Sequence, residues 1–114
     1  MQMTKTITLI ALLTASLGAM AADKAAGQKL ADAQCAACHA KVTGNDKDWN
    51  VPLDPSYPKL AGQKQDYLLQ ALKDYKSGAR KNAIMAGQVE KLSKKDLENL
   101  SAYFASLKGT LSYR

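Results

Sequence analysis

Apolar side chains recur every three or four residues over much of the chain, which is the spacing of a helix with one buried face. In the middle of the chain this spacing predicts a helix over Gln65–Ser77, with Gly78 as its stop. Nearer the C-terminal end it predicts a second helix that starts at the capping-box-like sequence Ser93–Asp96 and ends at Gly109. The apolar residues that carry the two patterns are Leu68, Leu69, Leu72, Tyr75, Leu97, Leu100, Phe104 and Leu107.

A third helix is predicted ahead of these two, running from a cap at Asp23 toward Cys35. Gly27 lies inside it although glycine is a poor helix former, so we expect another helix to approach closely there. The segment Val42–Pro58 carries Gly44, Asn45 and three prolines, and it is predicted to be an irregular loop. A loop of this length in a small domain is usually functional, for example because it covers a bound group.

The residues Cys35–His39 form the motif C-x-x-C-H, which is the attachment sequence of a c-type haem. In such a site Cys35 and Cys38 add to the two vinyl groups of haem and form two thioethers. The two-residue gap lets both thiols reach the ring from one helical turn, and His39 then supplies an imidazole nitrogen to the iron. The motif occurs once, so the sequence predicts one covalently bound haem c.

Three other kinds of site can contain a pair of cysteines at this spacing. A thioredoxin-like C-x-x-C would lie near a βαβ pattern, and no strand-rich pattern is found. A structural zinc site normally needs four Cys or His ligands, whereas the chain has two Cys and one His. A plain disulfide between Cys35 and Cys38 stays open, because an oxidising compartment would favour it.

The N-terminal residues 1–21 resemble a secretory signal peptide. Lys5 provides a positive charge, the apolar run Ile7–Leu13 follows, and Ala19-Met20-Ala21 fits the small-residue cleavage rule. The apolar run is short and interrupted, which disfavours an uncleaved membrane anchor. We therefore predict a signal peptide over residues 1–21, a single domain over residues 22–114 with no membrane span, and a location in the bacterial periplasm.

The second axial position of the iron needs a ligand if the protein is to transfer electrons rather than bind small molecules. His39 is the only histidine, and Met85 is the only methionine beyond residue 21. A thioether is a soft ligand that raises the reduction potential, which makes Met85 the predicted partner of His39. Lys81, Lys91 or a tyrosine stay open as alternatives.

Taken together, these residues resemble a class I cytochrome c of the small soluble bacterial monohaem kind, over essentially all of residues 22–114. The resemblance implies an all-α cytochrome c fold, with three to five helices around one covalently attached haem. Gly27 stands where the family has a glycine at the crossing of its first and last helices, and Leu100 and Tyr103 match the residues that pack there. The sequence Tyr57–Gln63 resembles the family's proline loop, which implies that the Pro58 carbonyl accepts the second ring N–H of His39.

Some positions depart from the family pattern. Ala31 stands where an aromatic residue is common, and the segment 43–55 has no counterpart that can be assigned. Within that segment, Trp49 is expected to cover a haem edge or fill the loop rather than to anchor a partner. Arg80 is interpreted either as a partner of a haem propionate or as an exposed side chain.

The net charge of +6 comes from 16 basic and 10 acidic residues, and Lys5 is the only charged residue within residues 1–21. The lysines are spread along the chain without an arginine-rich run, which disfavours nucleic-acid binding. A basic surface would instead steer redox protein partners with acidic docking surfaces.

The sequence therefore predicts a one-electron carrier of a respiratory or related chain, and not an enzyme by itself. Two alternatives are kept. The chain could be the haem c subunit of a dehydrogenase complex, or a ligand-binding or peroxidatic haem protein in which Met85 is labile.

Overall fold

The computed structural model describes residues 21–111, so the predicted signal peptide lies almost wholly outside the described residues. Five helices and one two-stranded antiparallel sheet make up the described chain. In order they are α1 (Lys24–Gln34), α2 (Ala36–His39), β1 (Lys41–Thr43), β2 (Asp46–Asp48), α3 (Gln65–Ser77), α4 (Ala83–Val89) and α5 (Lys94–Ser106). Within residues 21–111, none of these helices has the length and apolar character needed to cross a bilayer.

The three long helices begin where the sequence predicts, and each is fixed by a local signal. Asp23 caps α1 by accepting a hydrogen bond from the Ala26 backbone N–H at 3.0 Å. Helix α3 ends at Gly78, whose φ of 85° is readily adopted only by glycine. Ser93 and Asp96 form a reciprocal capping box at the start of α5, with bonds of 3.0 and 2.9 Å. Helix α5 ends at Ser106, three residues before the predicted stop, because Leu107 turns to an extended conformation.

Helices α1 and α5 cross in close contact, which confirms the reason for a glycine inside α1. A Cβ atom built on Gly27 would lie 2.1 Å from the Asn99 backbone oxygen and 3.0 Å from the Tyr103 Cβ. The crossing is also tied at its edge, where the Asp23 backbone N–H donates to the Asn99 side-chain oxygen at 2.8 Å. Ala31, one turn further along α1, is completely buried, so a small side chain there also suits the short distance between the helices.

The segment predicted as an irregular loop contains a β-hairpin, which the sequence analysis did not foresee. Strands β1 and β2 pair antiparallel, with Lys41 opposite Asp48 and Thr43 opposite Asp46. Gly44, at a φ of 61°, makes the turn between them. The strands are short and largely exposed, so no alternation of apolar and polar residues marks them. The Gly44-Asn45 pair between two short segments is the signal that could have revealed the hairpin.

Trp49, directly after the hairpin, is buried in the hydrophobic core. Its ring meets Phe104 edge-on at a centroid distance of 4.9 Å and Tyr103 at 6.3 Å, so it attaches the hairpin to α5. This burial agrees with the expectation that Trp49 fills space rather than anchors a partner. The rest of the core lies between α1, α3 and α5 and comprises Ala31, Ala36, Ala40, Ala61, Leu68, Val89, Leu92, Leu97 and Leu100.

Candidate haem site

The C-x-x-C-H motif occupies one helical turn at the end of α1. Cys35 closes α1 and opens α2, since its backbone N–H donates to the Ala31 carbonyl at 2.8 Å and its own carbonyl accepts from His39 at 3.0 Å. Cys35 and Cys38 are three positions apart on this turn, so their side chains project from the same side of it. Within residues 21–111 neither of them forms a disulfide. The arrangement therefore presents two thiols to one face, as the formation of two thioethers requires.

The pKa of the Cys35 thiol distinguishes Cys35 and Cys38 from the cysteines of a redox-active site. Burial of the thiol, with a smaller contribution from the neighbouring Cys38, raises the pKa of Cys35 to about 11. A thioredoxin-like site depends on a cysteine whose pKa is lowered toward neutrality. The structure therefore gives the thioredoxin-like interpretation no support.

His39 is held by its Nδ1 atom and is free at its Nε2 atom. Nδ1 lies 2.9 Å from the Pro58 carbonyl oxygen, as the family resemblance implied. A carbonyl can only accept, so Nδ1 carries the proton and Nε2 keeps a lone pair suited to a metal. The imidazole is 7% exposed, and the Tyr57 ring lies beside it at a centroid distance of 6.2 Å. One hydrogen bond thus fixes both the tautomer and the plane of the ring.

Met85 lies in the first turn of α4, a helix that the sequence analysis did not predict. The Asn82 side chain caps this helix by accepting from the Met85 backbone N–H at 3.0 Å. The Met85 side chain is partly buried and packs against the hydrophobic core. Lys81 and Lys91, the alternative lysine ligands, are exposed. Among these candidates, the burial of the side chain favours the thioether of Met85.

The residues present fit a haem c better than they fit another metal group. Two thiols on one face, an imidazole with an unprotonated Nε2 and a half-buried thioether are the donors that such a group uses. By contrast, residues 21–111 contain no group of three or more His, Cys, Asp or Glu side chains arranged to hold a metal ion. A zinc site built on the cysteine pair therefore has no support in the described chain.

Comparison with known proteins agrees with this chemistry. The family model described as "Cytochrome c" matches residues 24–108, which is most of the chain and includes every candidate site residue. The chain belongs to the cytochrome c family. Membership implies a cytochrome c fold and one covalently bound haem c. The haem is attached through the C-x-x-C-H pattern of Cys35, Cys38 and His39. The family consists of electron-transfer proteins rather than enzymes.

Several relatives show how far the likeness extends. Cytochrome c4 of Stutzerimonas stutzeri is 41% identical over 90% of this chain and 50% of its own length. Cytochrome c-554(547) of Halothiobacillus neapolitanus is 36% identical over 77% of this chain and 100% of its own length. The crystal structure of reduced recombinant cytochrome c4 from Pseudomonas stutzeri superposes with a TM-score of 0.65 at 39% identity, covering 82% of this chain and 50% of that one. The chain thus spans about half the length of the cytochrome c4 proteins.

Two features of the site were missed by sequence reasoning. The Leu53 backbone N–H donates to the Cys38 carbonyl at 3.0 Å, so the loop after the hairpin touches the motif at a second point. The other is the capped helix α4, for which Asn82 was an available signal.

Arg80, which the sequence left as either a propionate partner or an exposed side chain, contacts two tyrosines. It stacks over the Tyr75 ring at 4.9 Å and donates to the Tyr67 hydroxyl at 3.4 Å.

Proposed function

We propose that this chain is a monohaem c-type cytochrome of the periplasm, which carries single electrons between redox proteins. In this proposal residues 1–21 are an export signal and residues 22–114 form the functional domain. The observation that carries the proposal is the His39 imidazole, fixed through Nδ1 by Pro58 and placed one residue after the second thiol of the motif.

In the proposed ligand set Cys35 and Cys38 would hold haem through two thioethers, and His39 and Met85 would supply the nitrogen and sulfur ligands of its iron. When bound, haem c supplies a one-electron ferric/ferrous couple. The hydrogen bond to Pro58 holds the imidazole in one orientation, and the Asn82 cap holds the first turn of α4. Ligands held in fixed positions by these two bonds would need little rearrangement when an electron is gained or lost, which would favour rapid transfer.

The core supports this role by excluding water from the site. Leu97, Leu100 and Phe104 on α5 are at most 3% exposed, and Leu68 on α3 is 6% exposed. An apolar environment disfavours net charge, so it favours the ferrous state over the ferric state. We therefore propose a carrier with a comparatively high potential.

The proposed partners are proteins with acidic docking surfaces. The chain carries 16 basic against 10 acidic residues, and most of the lysines within residues 21–111 are exposed. A net positive surface accelerates encounter with an acidic partner, and the effect weakens as salt is added.

The ligand assignment is tested by the spectra of Met85→Ala, with Ile84→Ala as its matched control. Ile84 is the neighbouring residue on α4 and is 63% exposed, so its truncation leaves the sulfur in place. We expect Met85→Ala to lower the reduction potential and to bind carbon monoxide when reduced, whereas wild type and Ile84→Ala do not. Negligible carbon monoxide binding by Met85→Ala would show that another residue is the ligand. Binding by the wild type would favour a ligand-binding haem protein.

Haem attachment is tested by mass spectrometry of the exported protein. The proposal predicts a mass increase of one haem and a chain that begins near residue 22. Cys35→Ala should retain no more than one thioether, so a haem with two normal thioethers in this variant would contradict the assignment.

A second candidate function is the electron-accepting subunit of a dehydrogenase complex. One relative favours it, since the "Thiosulfate dehydrogenase electron acceptor" of Thiomonas intermedia is 38% identical over 67% of this chain and 32% of its own length. Size-exclusion chromatography of the protein purified from its own cells separates the two functions. A stable complex with a larger dehydrogenase subunit supports the second candidate, and elution at the size of this chain supports a diffusing carrier.

A further inference from the structure

The loop after the hairpin contacts the attachment motif at two consecutive residues. We name residues 49–58 the clasp loop. Near its middle, the Leu53 N–H donates to the Cys38 carbonyl, and at its end the Pro58 carbonyl accepts from His39 Nδ1. The position of the clasp loop therefore determines whether the imidazole keeps its hydrogen bond.

The C-terminal segment, residues 107–110, joins the two ends of the clasp loop. At the first end, the Asn50 side chain makes two bonds to its backbone, donating to the Lys108 carbonyl at 3.2 Å and accepting from the Thr110 N–H at 2.9 Å. Just past the other end, Lys59 Nζ donates to the Thr110 hydroxyl at 3.3 Å. The segment also packs on the chain nearby, since a Cβ on Gly109 would lie 2.0 Å from the Ala61 carbonyl oxygen.

Asn50 has the geometry of a specific connector rather than of an ordinary surface residue. It uses both its amide N–H and its amide oxygen on residues 58 and 60 positions away along the chain. The preceding Trp49 is 6% exposed and packs against α5, so the loop start is already anchored. Asn50 extends this anchor to the segment that also meets Lys59, the residue after Pro58.

We propose that Asn50 is a positioning residue for the haem ligand His39, acting through residues 107–110 and the clasp loop on the Pro58 carbonyl. This inference rests on the proposed role of His39 as an axial ligand. A fixed carbonyl acceptor makes the imidazole more basic and favours the ferric state. When the connection is broken, the carbonyl is held less firmly, the imidazole becomes a weaker donor to the iron, and the equilibrium moves toward the ferrous state.

The test compares holoprotein variants in reduction potential and in hydrogen exchange of the His39 Nδ1–H, followed by NMR in the reduced protein. In Asn50→Ala we expect about a threefold shift toward the ferrous state, which is about 28 mV at 59 mV per tenfold change for one electron. We also expect the Nδ1 proton to exchange at least tenfold faster. Asn45→Ala is the control, since Asn45 is exposed in the hairpin turn and only its backbone carbonyl accepts a hydrogen bond, from Lys47.

A second variant pair keeps the test decisive if Asn50→Ala fails to fold. Thr110 is exposed, and Thr110→Pro removes two of its groups. One is the backbone N–H that donates to the Asn50 side-chain oxygen, and the other is the hydroxyl that accepts from Lys59. Thr110→Ser keeps both groups and should behave like the wild type. We expect Thr110→Pro to raise the potential and speed the exchange in the same direction as Asn50→Ala.

The outcomes separate this inference from the proposed function. An unchanged potential and an unchanged exchange rate in folded Asn50→Ala or Thr110→Pro, with wild-type spectra, would overturn the role of Asn50 and leave the carrier function intact. A wild-type protein that lacks histidine ligation would overturn the proposed function itself. A shift of equal size in Asn45→Ala would also refute the inference, because the effect would not be specific to the connection.

Discussion

Replacing Gly27 by alanine places one methyl group in the contact between α1 and α5. The new carbon would lie 2.1 Å from the Asn99 carbonyl oxygen and 2.6 Å from its carbon, both of them backbone atoms that cannot rotate away. Ordinary carbon–oxygen contacts begin at about 3.3 Å, so the helices would have to separate by about 1 Å. Such a separation would also disturb the burial of Tyr103, whose Cβ lies 3.0 Å from the new carbon.

The magnitude follows from two opposed effects. Overpacking a core costs about 1–3 kcal/mol, and a clash with backbone belongs at the upper end of that range. Alanine is a better helix former than glycine by about 1 kcal/mol, which offsets part of the cost. We therefore expect the free energy of unfolding to fall by about 2 kcal/mol. For a domain of this size, that is a decrease in Tm of roughly 8–16 °C.

The assay is thermal and urea unfolding of the holoprotein, followed by far-ultraviolet circular dichroism. Gly87→Ala is the matched control, since Gly87 also lies in a helix and a Cβ there would meet nothing within 4 Å. The control should be neutral or slightly stabilised. If Gly27→Ala unfolded at or above the wild-type temperature, the close crossing of α1 and α5 would be refuted.

Two further predictions concern α5. Ser93→Ala removes the acceptor of the Asp96 N–H and should lower the free energy of unfolding by about 1 kcal/mol in urea, whereas Ser93→Thr keeps the cap and most of the stability. Burial raises the pKa of Tyr103 above its ordinary value of 10.0, so the unfolded chain loses this proton first as the pH rises. Stability should therefore fall above pH 10, and less steeply in Tyr103→Phe; identical slopes for the two proteins would contradict this.

The parts of the fold that could be predicted from sequence are those set by local signals. Helices α1, α3 and α5 each combine a recognisable cap or stop with apolar residues at helical spacing, as at Ser93 and Gly78. Helix α4 has only seven residues, and the β-strands have three each, too few for periodicity to be visible. Their stability comes from packing against the rest of the chain.

In the candidate site, too, some features could be predicted from the sequence and others could not. The motif Cys35–His39 is contiguous, so its chemistry can be read directly from the residues. The bond between His39 and Pro58 was implied by the family resemblance. The bonds of Asn50 to residues 108 and 110 join distant parts of the chain through one amide, and neither spacing nor composition contains that information.

The burial of Trp49 against α5 gives the protein a built-in optical reporter. It is the only tryptophan of the chain, so its emission comes from a single place, the junction of the hairpin with Phe104 and Tyr103. In the holoprotein the haem quenches this emission by energy transfer, so detachment of the hairpin, which exposes the indole to water and moves it away from the core, would appear as a rise in emission and a shift to longer wavelength. Fluorescence could therefore follow the detachment of the hairpin from α5 without any added label.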